Sequence, residues 1–517
     1  MSSLNAYAIG ALIAFTILVY RRTKYQRFPR PPGPKGLPLV GNVIGVPTEQ
    51  PWLAFKEWSD QYKSDIVSLQ VFGKDMIILN SNFAAQELFA RRWRNYSGRP
   101  FLPMVIDLMR WDWVLTFLQF NQEWKDERKI LRQSVTYSAQ HVIQPRALFS
   151  SRRLLKHILK TPKNYMSHVR HFAGLTVVST AYGIDVKPEG DPYVDMAERT
   201  MSKLSVAGNF GTYLVDFFPI LEYVPPWFPG AQFRRDAEEW AQEVESVNDG
   251  PYQIAKDNFV AGKGKNCIAS HMLATKEFHG EDRDYKERLL KNALGVVYLG
   301  GADTTISTLA TFILAMVMHP EAQRRAQDAI EAAIGRDHLP DYEEIQDIPY
   351  LHAIVREALR WHPVLPLGVA HRASEDDIFA GYHIPKDAMV IGNAWAMLND
   401  ETTFGKDTHL FKPERFLTKD GSALDRSVPN PEMAFGFGRR ICPGRVIAYS
   451  SVMIAAAALL QCFTIQKARD ENGKEIEVKD EYTTGLLSFP KPFECDFQVR
   501  SEKLALLIAE IKDTMEE

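Results

Sequence analysis

Cysteine is scarce in this chain. Cys267, Cys442, Cys462 and Cys495 are the four among 517 residues, and no two form a Cys-x-x-Cys pair. That spacing excludes a disulfide scaffold and the common zinc sites, and it points to free thiols in a reducing compartment. A surplus of one charge is missing as well. Lys and Arg number 61 against 64 Asp and Glu, a net charge of −3, so a general nucleic-acid-binding face is not expected. No G-x-G-x-x-G follows a strand pattern: the glycines at 262–264 and 300–301 lack that spacing, and the chain carries no dinucleotide fold of its own. Repeats and low-complexity tracts are absent from 40–517. Hydrophobic residues at 45% and charged residues at 24% are ordinary for a globular protein, which rules out a disordered chain, a collagen-like repeat or a coiled-coil rod.

What is present begins at the N-terminus. Residues 1–20 hold no charged side chain, and Ala6–Tyr20 is apolar apart from Thr16. Twenty residues at helical rise cover about 30 Å, the thickness of a bilayer's hydrocarbon core. Arg21, Arg22, Lys24, Arg27 and Arg30 follow, and no acidic residue precedes Glu49. A positive flank after the apolar run predicts an uncleaved anchor whose C-terminal side stays cytoplasmic and whose N-terminus is lumenal. The expected organisation is a transmembrane anchor over 1–20, a basic and proline-rich linker over 21–39 that includes Pro31-Pro32-Gly33-Pro34, and one large domain over 40–517. Two further runs, Asn292–Pro320 and Val446–Gln466, are nearly free of charge. Asp303 in the first is expensive in lipid, so both are expected as core helices.

The fold class is mainly α with a minor β component. Helical patterning covers Trp52–Tyr62, Asn82–Arg92, Gln122–Val135, Asp236–Phe259, Tyr285–Met318, Glu321–Ile334 and Tyr350–Trp361. Strand candidates are Ile66–Val71, Asp75–Leu79, His371–Ser374 and Met389–Ala394, and Asn472-Gly473 reads as a late hairpin turn.

The most informative stretch is Ala434-Phe435-Gly436-Phe437-Gly438-Arg439-Arg440-Ile441-Cys442-Pro443-Gly444. A glycine-rich loop delivers Cys442 to the start of a long apolar helix, where backbone N–H groups and the helix dipole favour a thiolate. A buried inert cysteine is the alternative for any lone thiol. Here, however, Phe435, Gly438, Arg440, Cys442 and Gly444 match every fixed position of Phe-x-x-Gly-x-Arg-x-Cys-x-Gly. In this the sequence resembles the cytochrome P-450 family, whose cysteine thiolate is the axial ligand of haem iron.

That resemblance extends over nearly the whole chain and implies a cytochrome P-450 fold and further roles. Glu357 and Arg360, three apart on one helix face, would join Arg415 of Phe411-Lys412-Pro413-Glu414-Arg415-Phe416 in a buried structural cluster. Gly300-Gly301-Ala302-Asp303-Thr304-Thr305 resembles the family's distal-helix segment. Thr304 would hydrogen-bond the bound dioxygen and Asp303 would relay protons, although a glycine pair for helix packing explains the same residues. Trp124 and Arg128, four apart, match a Trp-x-x-x-Arg element. With Arg440, Arg99 and His371 they would hold the propionates of haem b, with Phe435 in the cysteine loop beside them. Phe101, Val105, Trp111, Val297, Gly300, Leu365, Val369 and Leu486 would line a substrate pocket, a stripe that could equally be plain core. The expected substrate is a small apolar or aromatic molecule.

The implied activity is a haem-thiolate monooxygenase using O2 and NADPH-derived electrons. A separate NADPH–cytochrome P-450 reductase would supply them, with cytochrome b5 as a second donor and Lys125, Lys129, Arg132 and Arg439 as docking cations. Within the family the sequence is most similar to membrane-anchored fungal members of secondary metabolism, through Pro225–Gly230 and Phe312–Val317. The implied location is the endoplasmic reticulum membrane, single-pass, with the catalytic domain cytosolic and no nucleic-acid partner. Alternatives are a detoxifying monooxygenase of xenobiotic aromatics, a haem-thiolate isomerase or peroxygenase, and a haem sensor without turnover.

Overall fold

The computed structural model describes residues 28–135, 139–187, 189–209, 211–275, 278 and 282–515. The expected anchor over 1–20 and the first part of the linker lie outside them. The described residues fall into two compact units. The first takes in the described part of Met1–Pro100 together with Val369–Asn393 and Phe437–Arg439; the second takes in Phe101–Gly368, Ala394–Gly436 and the rest from Arg440.

The first unit holds helix α1 (Pro51–Tyr62) and six short strands: β1 (Ile66–Val71), β2 (Lys74–Leu79), β3 (His371–Arg372), β4 (Asp377–Phe379), β5 (Tyr382–Ile384) and β6 (Met389–Gly392). One sheet has the order β1-β2-β6-β3, and β4 pairs with β5. β1 and β2 form a tight antiparallel hairpin that pairs Val71 with Lys74 across Phe72-Gly73. Both turn residues have positive φ, 47° and 79°, the geometry whose twist matches the strands. β2 then runs parallel to β6, Met76 opposite Met389. Met76–Leu79 and Met389–Ile391 are buried throughout, as a strand covered on both faces requires. The strands expected to reach Ser374 and Ala394 are shorter, because Ala394 opens the turn of helix Ala394–Leu398.

The second unit is helical: α2 (Gln122–Val135), α3 (Gln140–Lys160), α4 (Tyr165–Tyr182), α5 (Pro192–Ala207), α6 (Gln232–Val260), α7 (Arg283–Met318), α8 (Pro320–Ile334), α9 (Pro349–Trp361) and α10 (Arg445–Cys462). Strands β7 (Phe463–Lys467) and β8 (Cys495–Val499) pair antiparallel. α7 and α10 are long and apolar enough to cross a membrane, but 83% and 78% of their apolar windows is buried inside the protein. They are core helices, as Asp303 foretold. α3, α4 and α5 have no counterpart among the expected helices. α3 carries Pro145 within it, a residue that reads as a helix breaker in sequence, and α4 is buried from His171 to Tyr182 on every face, so that stretch shows no polar side.

Candidate active site

Two turns and a helix start hold Cys442. The chain turns at Glu432–Phe435 and again at Gly438–Arg440, and α10 begins at Arg445 with Gly444 in the capping position. Gly436 has φ +85°, a conformation that L side chains rarely adopt. In the first unit Gly438 has φ +53°, and a Cβ there would stand 2.2 Å from the carbonyl oxygen of Phe89. Only glycine fits. The Cys442 amide donates to the Phe435 carbonyl at 2.8 Å, closing the loop. Burial raises the Cys442 thiol above its ordinary value, while the N–H groups of Gly444 and Arg445 and the charges of Arg128 and Arg445 pull it down. Cys462 and Cys495 are buried thiols pushed up to about 12.

α2 brings the next group. Its first turn is capped by the Asn121 side chain, which accepts from the Trp124 amide at 2.9 Å. Two guanidinium groups lie near the Trp124 ring, Arg440 at 4.6 Å and Arg128 at 6.0 Å. Arg440 donates to the carbonyls of Leu115 (3.1 Å) and Leu118 (2.7 Å), and Arg128 donates to the carbonyl of Ile441. Desolvation lowers Arg128 to about 10. Trp124 is 4% exposed, yet among the described residues its indole Nε1 has no hydrogen-bond partner. A buried donor without an acceptor is costly. Beside two arginines and a thiol, it marks a place for an anionic group, and haem with its carboxylates and its demand for a soft axial ligand fits these donors.

Arg99 and His371 lie together in the first unit. Arg99 is 5% exposed and donates to the carbonyls of Val369 (2.8 Å) and Ala370 (2.7 Å); burial lowers it to about 9. The His371 ring stacks on Phe89 at 4.0 Å and bonds through Nδ1 to the Tyr96 carbonyl at 2.6 Å.

On α7 the glycine pair divides its work. A Cβ on Gly301 would meet Val177 of α4 at 2.5 Å, whereas one on Gly300 would meet nothing. Gly301 serves helix packing and Gly300 leaves open space. The Thr304 hydroxyl donates to the Gly300 carbonyl at 2.7 Å, and α7 remains helical throughout. Asp303 is 8% exposed. Loss of hydration, helped by Glu198 and opposed by Arg170, pushes its carboxyl up to about 7.

Glu357, Arg360 and Arg415 form a fully paired network. Arg360 grips Glu357 with Nε at 2.7 Å and a second guanidinium nitrogen at 2.9 Å. Arg415 Nε donates to Glu357 at 3.0 Å and the Lys412 amide does so at 2.8 Å. The remaining Arg360 donors reach the Leu398 and Thr408 carbonyls.

Of the pocket candidates, Val105, Trp111 and Val297 share one buried apolar cluster, with Leu365 packed against it. Leu486 reaches toward Gly208, 3.0 Å from where a Cβ would stand. Phe101 is exposed, and Val369 lies in the first unit, where its carbonyl holds Arg99. Lys125, Lys129 and Arg132 are exposed on α2, whereas the Arg439 guanidinium sits over the Trp93 ring at 4.9 Å in the first unit.

Two features escaped the sequence. Glu127 of α2 is fully buried, and burial with Glu123 nearby pushes its carboxyl up to about 9. Arg170 and Glu198 flank Asp303 from helices that no sequence spacing connects to it.

A thiol at a helix start, a buried indole beside two arginines, and an acid–alcohol pair on a long core helix fit a haem-thiolate oxygenase. The chain belongs to the cytochrome P450 family, whose profile matches residues 31–497, and the enzyme is a P450 monooxygenase with haem iron on a cysteine thiolate. It is 38% identical to a cytochrome P450 monooxygenase of Armillaria gallica, over 97% of this chain and 98% of that one. It is 36% identical to the cytochrome P450 monooxygenase eriA of Hericium erinaceus, over 98% and 95% of the two chains. The tryptamine 4-monooxygenase of Psilocybe cyanescens is also 36% identical, over 96% and 98%.

Proposed function

We propose that the enzyme inserts one oxygen atom into a small apolar or aromatic molecule of fungal secondary metabolism, drawing electrons from an NADPH–cytochrome P-450 reductase, with cytochrome b5 as an auxiliary donor. Haem b, when bound, supplies oxygen activation, with the thiolate donating electron density to the iron. Cys442 would be the axial ligand, and Trp124, Arg128 and Arg440 would hold the propionates. The observation that carries this reading is the unsatisfied Trp124 indole beside Arg440 and Arg128, the second of which acts electrostatically on the Cys442 thiol.

Asp303 and Thr304 would manage protons. An acid pushed up to about 7 can both hold and release a proton at neutral pH, the condition for efficient acid–base work. The Thr304 hydroxyl, held by the Gly300 carbonyl, lies beside open space on α7. Val105, Trp111, Val297 and Leu365, which belong to or pack on one buried apolar cluster, would supply an apolar lining that favours a substrate of low polarity and excludes water. The exposed cations Lys125, Lys129 and Arg132 would meet an acidic reductase surface, an attraction that salt screens.

The enzyme would sit on the endoplasmic reticulum membrane through residues 1–20, its catalytic part cytosolic. The apolar stretch and its basic flank support that placement. Purified protein supplied with reductase and NADPH should give a substrate-dependent oxygenated product, and Cys442→Ser should abolish the red-shifted Soret band of the reduced carbon monoxide complex. Product without a reductase, or the same band in Cys442→Ser, would refute the reading. Deleting residues 2–20 should move the protein from the membrane fraction to the soluble one.

A further inference from the structure

The fold buries Arg153 of α3 without finishing its pairing. The residue is 4% exposed. One terminal nitrogen donates to the Asp513 carbonyl at 2.6 Å, but among the described residues Nε and the other terminal nitrogen have no hydrogen-bond partner. The Asp513 carboxylate stands 3.8 Å from Nε, beyond hydrogen-bond reach. Charged donors left unpaired in the interior are costly. Arg153, Lys156 and His157 are three and four apart and share one face of α3, and His168 and His171 repeat the three-residue spacing on α4. Lys156 donates to the Ile511 carbonyl at 2.8 Å and to the Asp513 carboxylate at 3.1 Å. The rings of His168 and His171 gather around that of His157.

Backbone carbonyls orient two of these rings. Nε2 of His168 bonds to the Thr161 carbonyl at 3.0 Å, and Nε2 of His171 to the Lys187 carbonyl at 2.7 Å. A carbonyl only accepts, so each Nε2 carries its hydrogen and each Nδ1 is the place for a second proton. Three histidines this close invite a metal ion. Arg153 and Lys156, however, put two cations beside them, and no set of His, Cys, Asp and Glu among the described residues could hold one. The charge balance calls for an anion instead. Asp513 answers it only in part, from a 65% exposed position near the end of the chain.

We propose that Arg153, Lys156, His157 and His171 form a binding site for a small phosphate-type oxyanion, at the place into which the Asp513 carboxylate reaches. The ligand would displace the Asp513 side chain and take the two spare guanidinium donors, which match two oxygens of an oxyanion in a parallel fork. Burial first, then repulsion from the other rings and Arg153, lowers His157 to about 4, and burial lowers His168 and His171. A bound dianion opposes that repulsion, so anion and proton assist each other's binding. The carboxylates acting on the rings are Asp513 on His157, Glu189 on His168 and Asp191 on His171. Asp191 is committed to capping α5 through the Tyr193 and Val194 amides. A contact that served only to pin the C-terminal segment would be an exposed ion pair of little strength, and it would leave the spare Arg153 donors without use.

The test uses the holoenzyme and its Asp513→Asn, Lys156→Gln, Arg153→Gln and His157→Gln variants. Sulfate and inorganic phosphate are the probes, with chloride at matched ionic strength as the control, read by titration calorimetry and by thermal melts. Wild type should bind one sulfate saturably, Asp513→Asn should bind it on the order of 10-fold tighter and Lys156→Gln on the order of 10-fold more weakly. Sulfate keeps its double charge across the range, so its affinity should rise by roughly 10-fold from about pH 8 to about pH 6, with a shallower rise in His157→Gln. Arg153→Gln should abolish saturable binding; should it fail to fold, Lys156→Gln and Asp513→Asn, both at partly exposed side chains, decide the matter. Glycerol phosphate, a lipid headgroup without its chains, and adenosine monophosphate are then compared with inorganic phosphate, and the tightest of the three names the source while upholding the site. No saturable anion binding beyond chloride in wild type and Asp513→Asn, or one affinity shared by wild type, Lys156→Gln and Asp513→Asn, would overturn it.

Discussion

Two buried carboxylates in the second unit meet opposite fates. Glu357 is fully buried and every contact around it is made: two arginines, a backbone amide, and carbonyls that absorb the spare guanidinium donors. Asp303 is nearly as buried, but its nearest cation, Arg170, is committed to Glu198 at the rim, and its carboxyl is held near neutrality instead. A satisfied buried charge fixes structure, since removing one member strands the rest in low dielectric. An acid left short of partners keeps a proton it can exchange. The same residue type thus serves as a structural clamp in one place and a chemical group in the other.

The largest expected effect breaks the first half of this contrast. Glu357→Gln leaves two buried arginines without their counter-ion and should cost about 3–5 kcal/mol of stability, measured by denaturant unfolding, with little haem-loaded protein recovered. Arg415→Leu, which leaves Arg360 still paired to Glu357, should cost less. Asp303→Asn should do the reverse: unfolding stability kept or improved, and coupled turnover lowered on the order of 10²-fold, read as product formed per NADPH consumed. If Asp303→Asn unfolds the protein while Glu357→Gln leaves it intact, the two roles have been assigned backwards.

Smaller effects come from pH. Because the Asp303 carboxyl is raised to about 7 in the folded protein, the folded state holds a proton that the unfolded chain releases from about pH 4 upward. Its contribution to stability is therefore present below that point and lost as pH rises toward 7. Asp303→Asn should gain on wild type over that interval in melts at successive pH values. The histidine cluster of His157 on α3 with His168 and His171 on α4, rings 5.4 and 5.0 Å from His157, has the opposite sign. Burial lowers all three, His157 to about 4, so stability should fall as pH drops from about 6.5 toward 4. His157→Gln should blunt that acid loss.

The features legible in the sequence were those set by local spacing. Ile66–Val71 was found to the residue because a strand between turn signals stands out. Trp124 and Arg128 were found together because four residues bring two side chains to one helix face. α4 was invisible: its last three turns are buried on all sides and carry no polar stripe to betray their period. Glu198 was unreadable for another reason. It is 105 residues from Asp303 in sequence, and only the packing of α4 and α5 on α7 brings the two together. Glu127 sits in a run of charged residues that reads as a solvated surface, until the fold turns that one position inward.

The most direct measurement is iron K-edge X-ray absorption of the purified holoenzyme. The wild-type spectrum should contain one sulfur scatterer bound to iron, and Cys442→Ala should lack it while Cys267→Ala, Cys462→Ala and Cys495→Ala keep it. A sulfur signal that survives the loss of Cys442, or none in the wild type, would contradict the account.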